Sequence, residues 1–401
     1  MSVTEDLFEF DDDDLSNPTE IKVVGVGGGG NNAIDRMKQL GVRGVEFIAV
    51  NTDTQDLENT ECDRTLQIGE QITDGLGSGA DPKIGLRSAQ DSRDKIEDAI
   101  EDADLLILTA GMGGGTGTGA TPVIAEIARE QDILTIGIVT RPFDFEKQRR
   151  AERADKGIKS LRQNVDTLIV VPNQRIYDVI GEEDIALTDA FERVDEVLFH
   201  GVQGISEVIM EDGYINLDFA DVRTVLANQG DALLGIGEAA GENAPEEAAR
   251  RALDCPLLET NEIDGARGVL INIAGSDRLT AKAVQRISDI VNEKADDQAE
   301  VLVGTALRRD MEDAIRVTTI AAGFPERASD TRGNQARSAD RDNVIDVQNI
   351  HENKDLDRPA YERKEEGGPV EVVDSNPEEV EEEEPPDEEE NLNIPTFMRV
   401  N

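Results

Sequence analysis

The chain is poor in the residues that usually build metal sites, disulfides and nucleic-acid surfaces. It has no tryptophan, three tyrosines, two histidines and two cysteines in 401 residues. Cys62 and Cys255 stand far apart without CxxC or CxxH neighbours, so neither a disulfide framework nor a zinc site is expected. No stretch approaches the ~18 apolar residues of a membrane span, and residues 1–10 carry neither the basic start nor the apolar run of a secretory leader. The expectation is a cytoplasmic protein that cannot enter a membrane unaided. Basic residues are scarce as well, 40 against 87 acids, a net charge of −47. Such a chain repels nucleic acid and anionic lipid as direct partners.

The acidity is not confined to tails. Residues 21–324 hold 56 acids and 31 bases, a net of −25, and only 11 of the 40 basic residues in the whole chain are lysine. An acidic globular surface that prefers Arg suits concentrated salt, where the Debye length falls to about 3 Å and self-repulsion is screened. A halophilic cytosol, archaeal in type, is the expectation.

From residue 21 onward, short apolar runs alternate with helical stretches: 21–26, 47–50, 105–109, 134–139 and 168–171. The alternation predicts βαβ units on a parallel sheet, with ligand loops at the carboxyl ends of the strands. Leu187, Phe191, Val194, Leu198, Val202, Ile205 and Ile209 recur at three-to-four spacing, which predicts one long helix over 185–212. Four further strand-like runs, 233–236, 269–273, 301–306 and 315–320, predict a smaller α+β unit. The resulting division is an acidic, disordered leader (1–19), a nucleotide-binding domain (20–184), the central helix (185–212), a loop with a following helix (213–230), the α+β domain (231–324), an acidic disordered linker (325–390) and a terminal peptide (391–401). As a flexible coil the 66-residue linker would span roughly 45 Å. After the nearly all-acidic stretch 378–390, apolar side chains reappear in the terminal residues 393–400.

The chemistry-bearing feature is GMGGGTGTGA at 111–120, directly after one apolar run and before a helix-like segment. Six glycines in ten residues let successive N–H groups crowd an anion, Thr116 and Thr118 add hydroxyl donors, and Pro122 suits the first turn of the next helix. No Gly-Lys-Ser/Thr closes the loop, so it is not the Walker pattern. A second glycine run, GVGGGGNN at 25–32, satisfies GxGxxG, and Asp53 lies 23 residues past Gly30. Two phosphate loops at two strand ends fit a polyphosphate better than the single pyrophosphate of NAD. The segment 76–81, with Ser78, Gly79 and Ala80, offers a third small-residue loop for a terminal phosphate.

GVGGGGNNA at 25–33, NTD at 51–53, AGMGGGTGTGA at 110–120, RPFDFE at 141–146 and NLDFADVRT at 216–224, in this order, resemble the FtsZ family of tubulin-like, filament-forming GTPases of prokaryotic cell division. The resemblance implies the α/β tubulin/FtsZ fold: a Rossmann-like parallel-sheet GTPase domain, a long central helix and an α+β C-terminal domain. It implies that Gly28, Gly29, Gly30, Asn31, Asn32, Gly114, Gly115, Thr116, Gly117 and Thr118 hold phosphates, that Glu146, Arg150 and Asn173 surround the ribose, and that Phe191 and Asp195 meet guanine. A carboxylate accepts from both N1–H and the 2-amino group of guanine, whereas adenine presents an acceptor at N1. Read without the resemblance, Glu146 and Arg150 are an i,i+4 surface pair, Phe191 is core and Asp195 a solvated helix face.

Asn216, Asp218 and Asp221 are implied to be catalytic toward a neighbouring subunit's GTP; by spacing alone, the two acids could simply cap a helix running to Asn228. Carboxylates beside a bound triphosphate repel it, so the pocket itself is expected to lack them. The resemblance further implies head-to-tail filaments, Mg²⁺ carried on the phosphates with no dedicated protein metal cage, and a second family member sharing a mid-cell ring; K⁺ is expected from the salt-rich environment that the acidic composition suggests. It also implies a SepF-like membrane adaptor held by Ile394, Pro395, Phe397, Met398 and Arg399. Rival readings are a tubulin-like GTPase of cell shape and an NAD-dependent enzyme built on GVGGGG. His200 and Cys62 receive no role.

Overall fold

The computed structural model describes residues 19–180, 185–210, 213–255, 263 and 265–324. Strand β1 (Ile21–Val26) runs into α1 (Gly27–Leu40), β2 (Glu46–Asn51) into α2 (Thr54–Asn59), and β3 (Arg64–Gln67) into α3 (Glu70–Thr73), α4 (Pro82–Asp91) and α5 (Arg93–Ile100). Then β4 (Leu105–Gly111) feeds α6 (Thr116–Glu130), β5 (Leu134–Arg141) feeds α7 (Gln148–Arg162), and β6 (Thr167–Pro172) feeds the short α8 (Ile176–Ile180). The central helix α9 (Leu187–Met210) and α10 (Phe219–Leu226) lead to β7 (Gly230–Ala240), α11 (Ala244–Leu253), β8 (Gly268–Gly275), α12 (Ala281–Asn292), β9 (Glu300–Leu307) and β10 (Ala314–Ala322).

The strands form one sheet in the order β3-β2-β1-β4-β5-β6-β7-β10-β8-β9, in which only β10 runs against its neighbours. The mainly apolar β1, β4 and β5 are buried along nearly all of their length, as strands covered on both faces by helices must be. Chain order reverses at β1, which lies between β2 and β4, and such a switch point opens a crevice at the carboxyl ends of the strands. Helix α9 buries Val194, Leu198, Val202 and Ile205 in a core shared by β1, β5, β7, β8 and β10. It thereby joins the parallel half of the sheet to the C-terminal half. The two halves also meet directly, Thr167, Leu168 and Ile169 of β6 pairing with Gly230, Asp231 and Ala232 of β7.

Several local expectations are revised. Strand β3, only four residues and mostly polar, carries no apolar run to announce it. Helix α9 begins at Leu187, two residues after the predicted start, and the first two residues of the apolar stripe, Leu187 and Phe191, are exposed; the predicted end at 211–212 lies outside the described residues. Helix α6 begins at Thr116, so Pro122 lies inside it rather than in its first turn. Its missing N–H falls opposite Thr118, whose side chain is engaged elsewhere. Helix α10 ends at Leu226, two residues before the expected stop, because Asn228 adopts a left-handed φ of 56°.

Candidate active site

At the switch point, β1 ends at Val26 and runs into Gly27 of α1, β4 ends at Gly111 ahead of α6, and the starts of both helices face one cleft of about 440 Å³. Neither α1, capped by Val26, nor α6, capped by Gly115, has a side-chain cap or an acid in its first turn. The free N–H groups of two helix starts therefore converge on the cleft, which is how a helix end holds an anion. By contrast, Asp53 caps α2 and Asp81 caps α4. Gly27 permits the convergence: its φ is +71°, and a Cβ there would lie 2.8 Å from the Gly117 nitrogen. On Gly79 or Gly114 a Cβ would meet nothing within 4 Å and would project into open space.

Gly28, Gly29, Ser78, Gly79, Ala80, Gly114, Gly115, Thr116, Gly117 and Arg150 all line this cleft. The Thr116 hydroxyl lies 2.7 Å from that of Thr52 and 3.0 Å from that of Ser78, tying three loops by one oxygen. Gly30, Asn31, Asn32 and Thr118 do not line it. Thr118 braces the loop, its Oγ1 accepting from the Gly113 N–H at 2.8 Å, so it is a support rather than an open donor. Gly30 packs against Thr109 and Gly25, and the fully buried Asn31 donates to Asp56 at 3.1 Å while its Oδ1 has no protein partner.

Two carboxylates do line the cleft, against expectation: Asp53 and Asp56. Both are occupied. Asp53 Oδ1 accepts from the Gln55 N–H at 3.0 Å as a helix cap, and Asp56 Oδ2 accepts from the side-chain amides of Asn31 and Asn51. Burial pushes the Asp56 carboxyl up, opposed by the Asn31 hydrogen bond. A carboxylate held by two amide donors repels a phosphate less than a bare one.

Glu146 and Arg150 form the i,i+4 pair at 3.0 Å, with the glutamate largely buried and also accepting from the Phe143 N–H. Asn173 is buried and its Oδ1 lacks a protein partner. The Phe191 ring meets Phe143 edge-on at 5.3 Å, and Phe143 stacks with Phe145 at 5.0 Å and lies 5.7 Å from Tyr177. Asp195, largely buried, has its carboxyl pushed up to about 7 by burial, with Arg36 opposing and Glu192 adding to the rise.

Residues 20–181 match the GTPase domain of the Tubulin/FtsZ family, and residues 230–325 match the C-terminal domain of the FtsZ family. An FtsZ dimer from M. jannaschii is 41% identical, with a TM-score of 0.74 over 77% of this chain and 89% of that one. This chain belongs to the FtsZ family. It is a GTPase, and the cleft is where a nucleoside polyphosphate fits: two uncapped helix starts face it, and its glycines leave room for an anion. Two Haloferax volcanii proteins, CetZ1 as a GDP-bound monomer and CetZ2 as a GTPγS-bound protofilament, share the fold. They are 21% and 22% identical, with TM-scores of 0.67 and 0.66 over 79% and 80% of this chain and 98% of theirs.

In this FtsZ-family chain Asn216, Asp218 and Asp221 do not line the cleft. Asp218 occupies the N-cap position of α10, yet its side chain accepts no cap hydrogen bond, and both acids are exposed. The Asn216 side chain accepts from the Gly213 N–H at 2.9 Å. The loop returns to α9 where the Leu217 N–H meets the Val208 carbonyl. Val208 lies 13 residues past Asp195, about 20 Å along the helix at ~1.5 Å per residue. Among the described residues no group of three or more His, Cys, Asp and Glu is placed to hold a metal ion. The sequence reading passed over Asp56 in the cleft, Thr52, which bonds the Thr116 hydroxyl, and Phe143, Phe145 and Tyr177, which form the aromatic group beside Phe191. The aromatic trio had one signal: with only 10 Phe and three Tyr in the chain, two of them sit within RPFDFE.

A second concavity, of about 340 Å³, lies among the turns after β7, β8 and β9. Among its charged residues Arg278 pairs with Asp313.

Proposed function

We propose that this chain is a division protein that assembles head to tail with GTP bound, the loop of one subunit completing the cleft of the next. The observation that carries this is the separation along α9: nucleotide residues cluster at its start, whereas Asp218 and Asp221 are presented, exposed and without cap bonds, at its far end. A carboxylate so placed cannot reach the cleft of its own chain, but it suits one face of a contact joining two different surfaces. Such a contact does not close on itself and yields a filament. Asp218 and Asp221 would orient the attacking water, with Asn216 shaping the loop through the Gly213 N–H.

In the cleft, the starts of α1 and α6 with Gly28, Gly29 and Gly114 to Gly117 would hold the phosphates, Ser78 to Ala80 the terminal one and Arg150 the ribose side; Phe191 and Asp195, which do not line the cleft, would meet the base. Bound Mg²⁺ would neutralise charge on the phosphates, and it would be carried by them. K⁺ would come from a salt-rich archaeal cytoplasm. The terminal residues Ile394, Pro395, Phe397, Met398 and Arg399, which lie outside the described residues, would take a SepF-like adaptor at the mid-cell ring, shared with a second FtsZ-type protein. The match to the FtsZ C-terminal domain and the higher identity to FtsZ than to CetZ favour division over cell shape.

The test is GTP turnover per subunit against protein concentration in molar KCl. Turnover should rise steeply above a threshold concentration. A rate per subunit that stays constant down to dilution sinks the shared-site reading.

A further inference from the structure

We infer that Asp56 is a positioning residue for the nucleotide: it ties the phosphate loops together by hydrogen bonds, and the charge it brings to the cleft makes nucleotide binding strengthen with salt. This deepens the reading of the starts of α1 and α6 as phosphate holders and rests on it. By position Asp56 is an ordinary acid in the first turn of α2, where a helix start favours it. Its carboxylate turns instead to two asparagines. Oδ2 accepts from Asn31 Nδ2, on α1, at 3.1 Å and from Asn51 Nδ2, at the end of β2.

Both asparagines are buried, and each anchors a loop. Asn31 lies one turn into α1, directly behind the glycines that face the cleft. Asn51 Oδ1 accepts from the Thr52 N–H at 2.8 Å, the Thr52 hydroxyl lies 2.7 Å from that of Thr116, and the Thr116 hydroxyl lies 3.0 Å from that of Ser78. One chain of bonds therefore runs from α1 through Asp56 to the start of α6 and the third loop. Asp56 is the link that joins α1 to the rest. Without its oxygen, two buried side-chain amides lose their acceptor.

The same carboxylate carries a charge that the tie does not require. A Cβ on Gly28 would lie 3.4 Å from Asp56 Oδ2, so the acid borders the first turn whose N–H groups face an anion. Among the residues lining the cleft, Asp53 and Asp56 are acids and Arg150 is the cation, itself paired with Glu146 at 3.0 Å. A neutral oxygen accepts from both amides as well; only the carboxylate repels a polyphosphate. That repulsion fades with screening, since the Debye length falls from about 4 Å in 0.5 M salt to about 2 Å in 3 M.

The experiment measures GDP and GMP affinities of the full chain, without divalent ions, in 0.5 M and 3 M KCl, after circular dichroism shows each variant folded. D56N keeps an oxygen for the two amides and loses the charge. It should bind GDP about fivefold tighter than the native chain in 0.5 M KCl, stay within about twofold of it in 3 M, and gain less for GMP, which carries fewer charges. D56A should bind GDP about tenfold more weakly at both salt concentrations, because the loops lose their tie. N51A, which breaks the tie from the other side and keeps the charge, should weaken GDP likewise and takes the place of a D56A chain that does not fold. A D56N chain that gains nothing, or gains equally in both salts, overturns the proposal, as does D56A or N51A binding as tightly as D56N. A native chain that binds GDP no better than GMP removes the phosphate reading of the cleft and this proposal with it. A native preference for GDP combined with an unchanged D56N removes the proposal alone.

Discussion

At the scale of single residues, Asp195 carries the tension of the site. A largely buried carboxyl whose folded pKa stands near 7, above its ordinary 3.8, stabilises the nucleotide-free fold fully below pH ~4 and loses that contribution as pH rises through about 7. The D195N chain should therefore be more stable than the native one at pH 8 without nucleotide, by an order of a few kcal/mol at most, and the gain should vanish at pH 4. Thermal melts at the two pH values check this. The same substitution should cost guanine binding, so that adding GDP at pH 8 raises the melting temperature of the native chain and leaves D195N nearly unmoved. The residue types at this site were readable from the chain; their ionisation was not. Asp195 as a solvated helix face and Asp195 as a buried acid have the same spacing, and only the packing of α1 against α9 separates them.

At the scale of elements, α9 works as a beam between the base and the loop. Near its far end Glu207 is 4% exposed, accepts from Arg308 Nη1 at 2.9 Å and from Asn272 Nδ2 at 2.8 Å, and so pins the helix to β8 and to the end of β9. E207A removes a buried carboxylate from a cation that retains Asp310. It should destabilise the fold by about 3 kcal/mol and slow GTP turnover more than it weakens GDP binding, because the loop that α9 presents loses its register. Denaturant melts and turnover at saturating GTP measure the two effects. The long helix was legible from its apolar spacing, and the parallel strands from their unbroken runs of Val, Ile and Leu. Its bounds were not, since Leu187 and Phe191 continue the apolar pattern while standing exposed. The start of α6 was misplaced for a related reason: glycine and threonine are weak helix formers, yet here they make the first turn because their N–H groups face an anion site.

At the scale of the whole molecule, charge and assembly set the conditions. With 56 acids against 31 bases in residues 21–324, helical circular dichroism should be weak in dilute buffer and grow with KCl as screening lengthens the range of stability. A fully folded spectrum without added salt would count against a halophilic host. Because Asp218 does not line its own cleft, D218N should bind GDP as tightly as the native chain and lose about 100-fold in turnover. Mixing D218N with subunits that carry an intact loop and a disabled cleft, such as the G27A chain, should restore more turnover than either alone, which a site completed within one chain cannot do.

The identity of the family and the nucleotide class were written in one dimension: glycine runs at strand ends, a helix-period stripe and a recurring acidic loop are local patterns that survive without knowledge of the fold. What lay beyond reach of that reading depends on which segments meet. The pairing of β6 with β7 merges two predicted sheets into one. Asp56 enters the cleft because α2 packs beside α1, and Asn31 and Asn51 tame its charge once there. The separation of Asp195 and Asp218, on which a shared site rests, follows from a long helix running through the core; the packing of its buried residues, from Val194 to Val208, against strands of both halves of the sheet holds it there, and no local pattern encodes that.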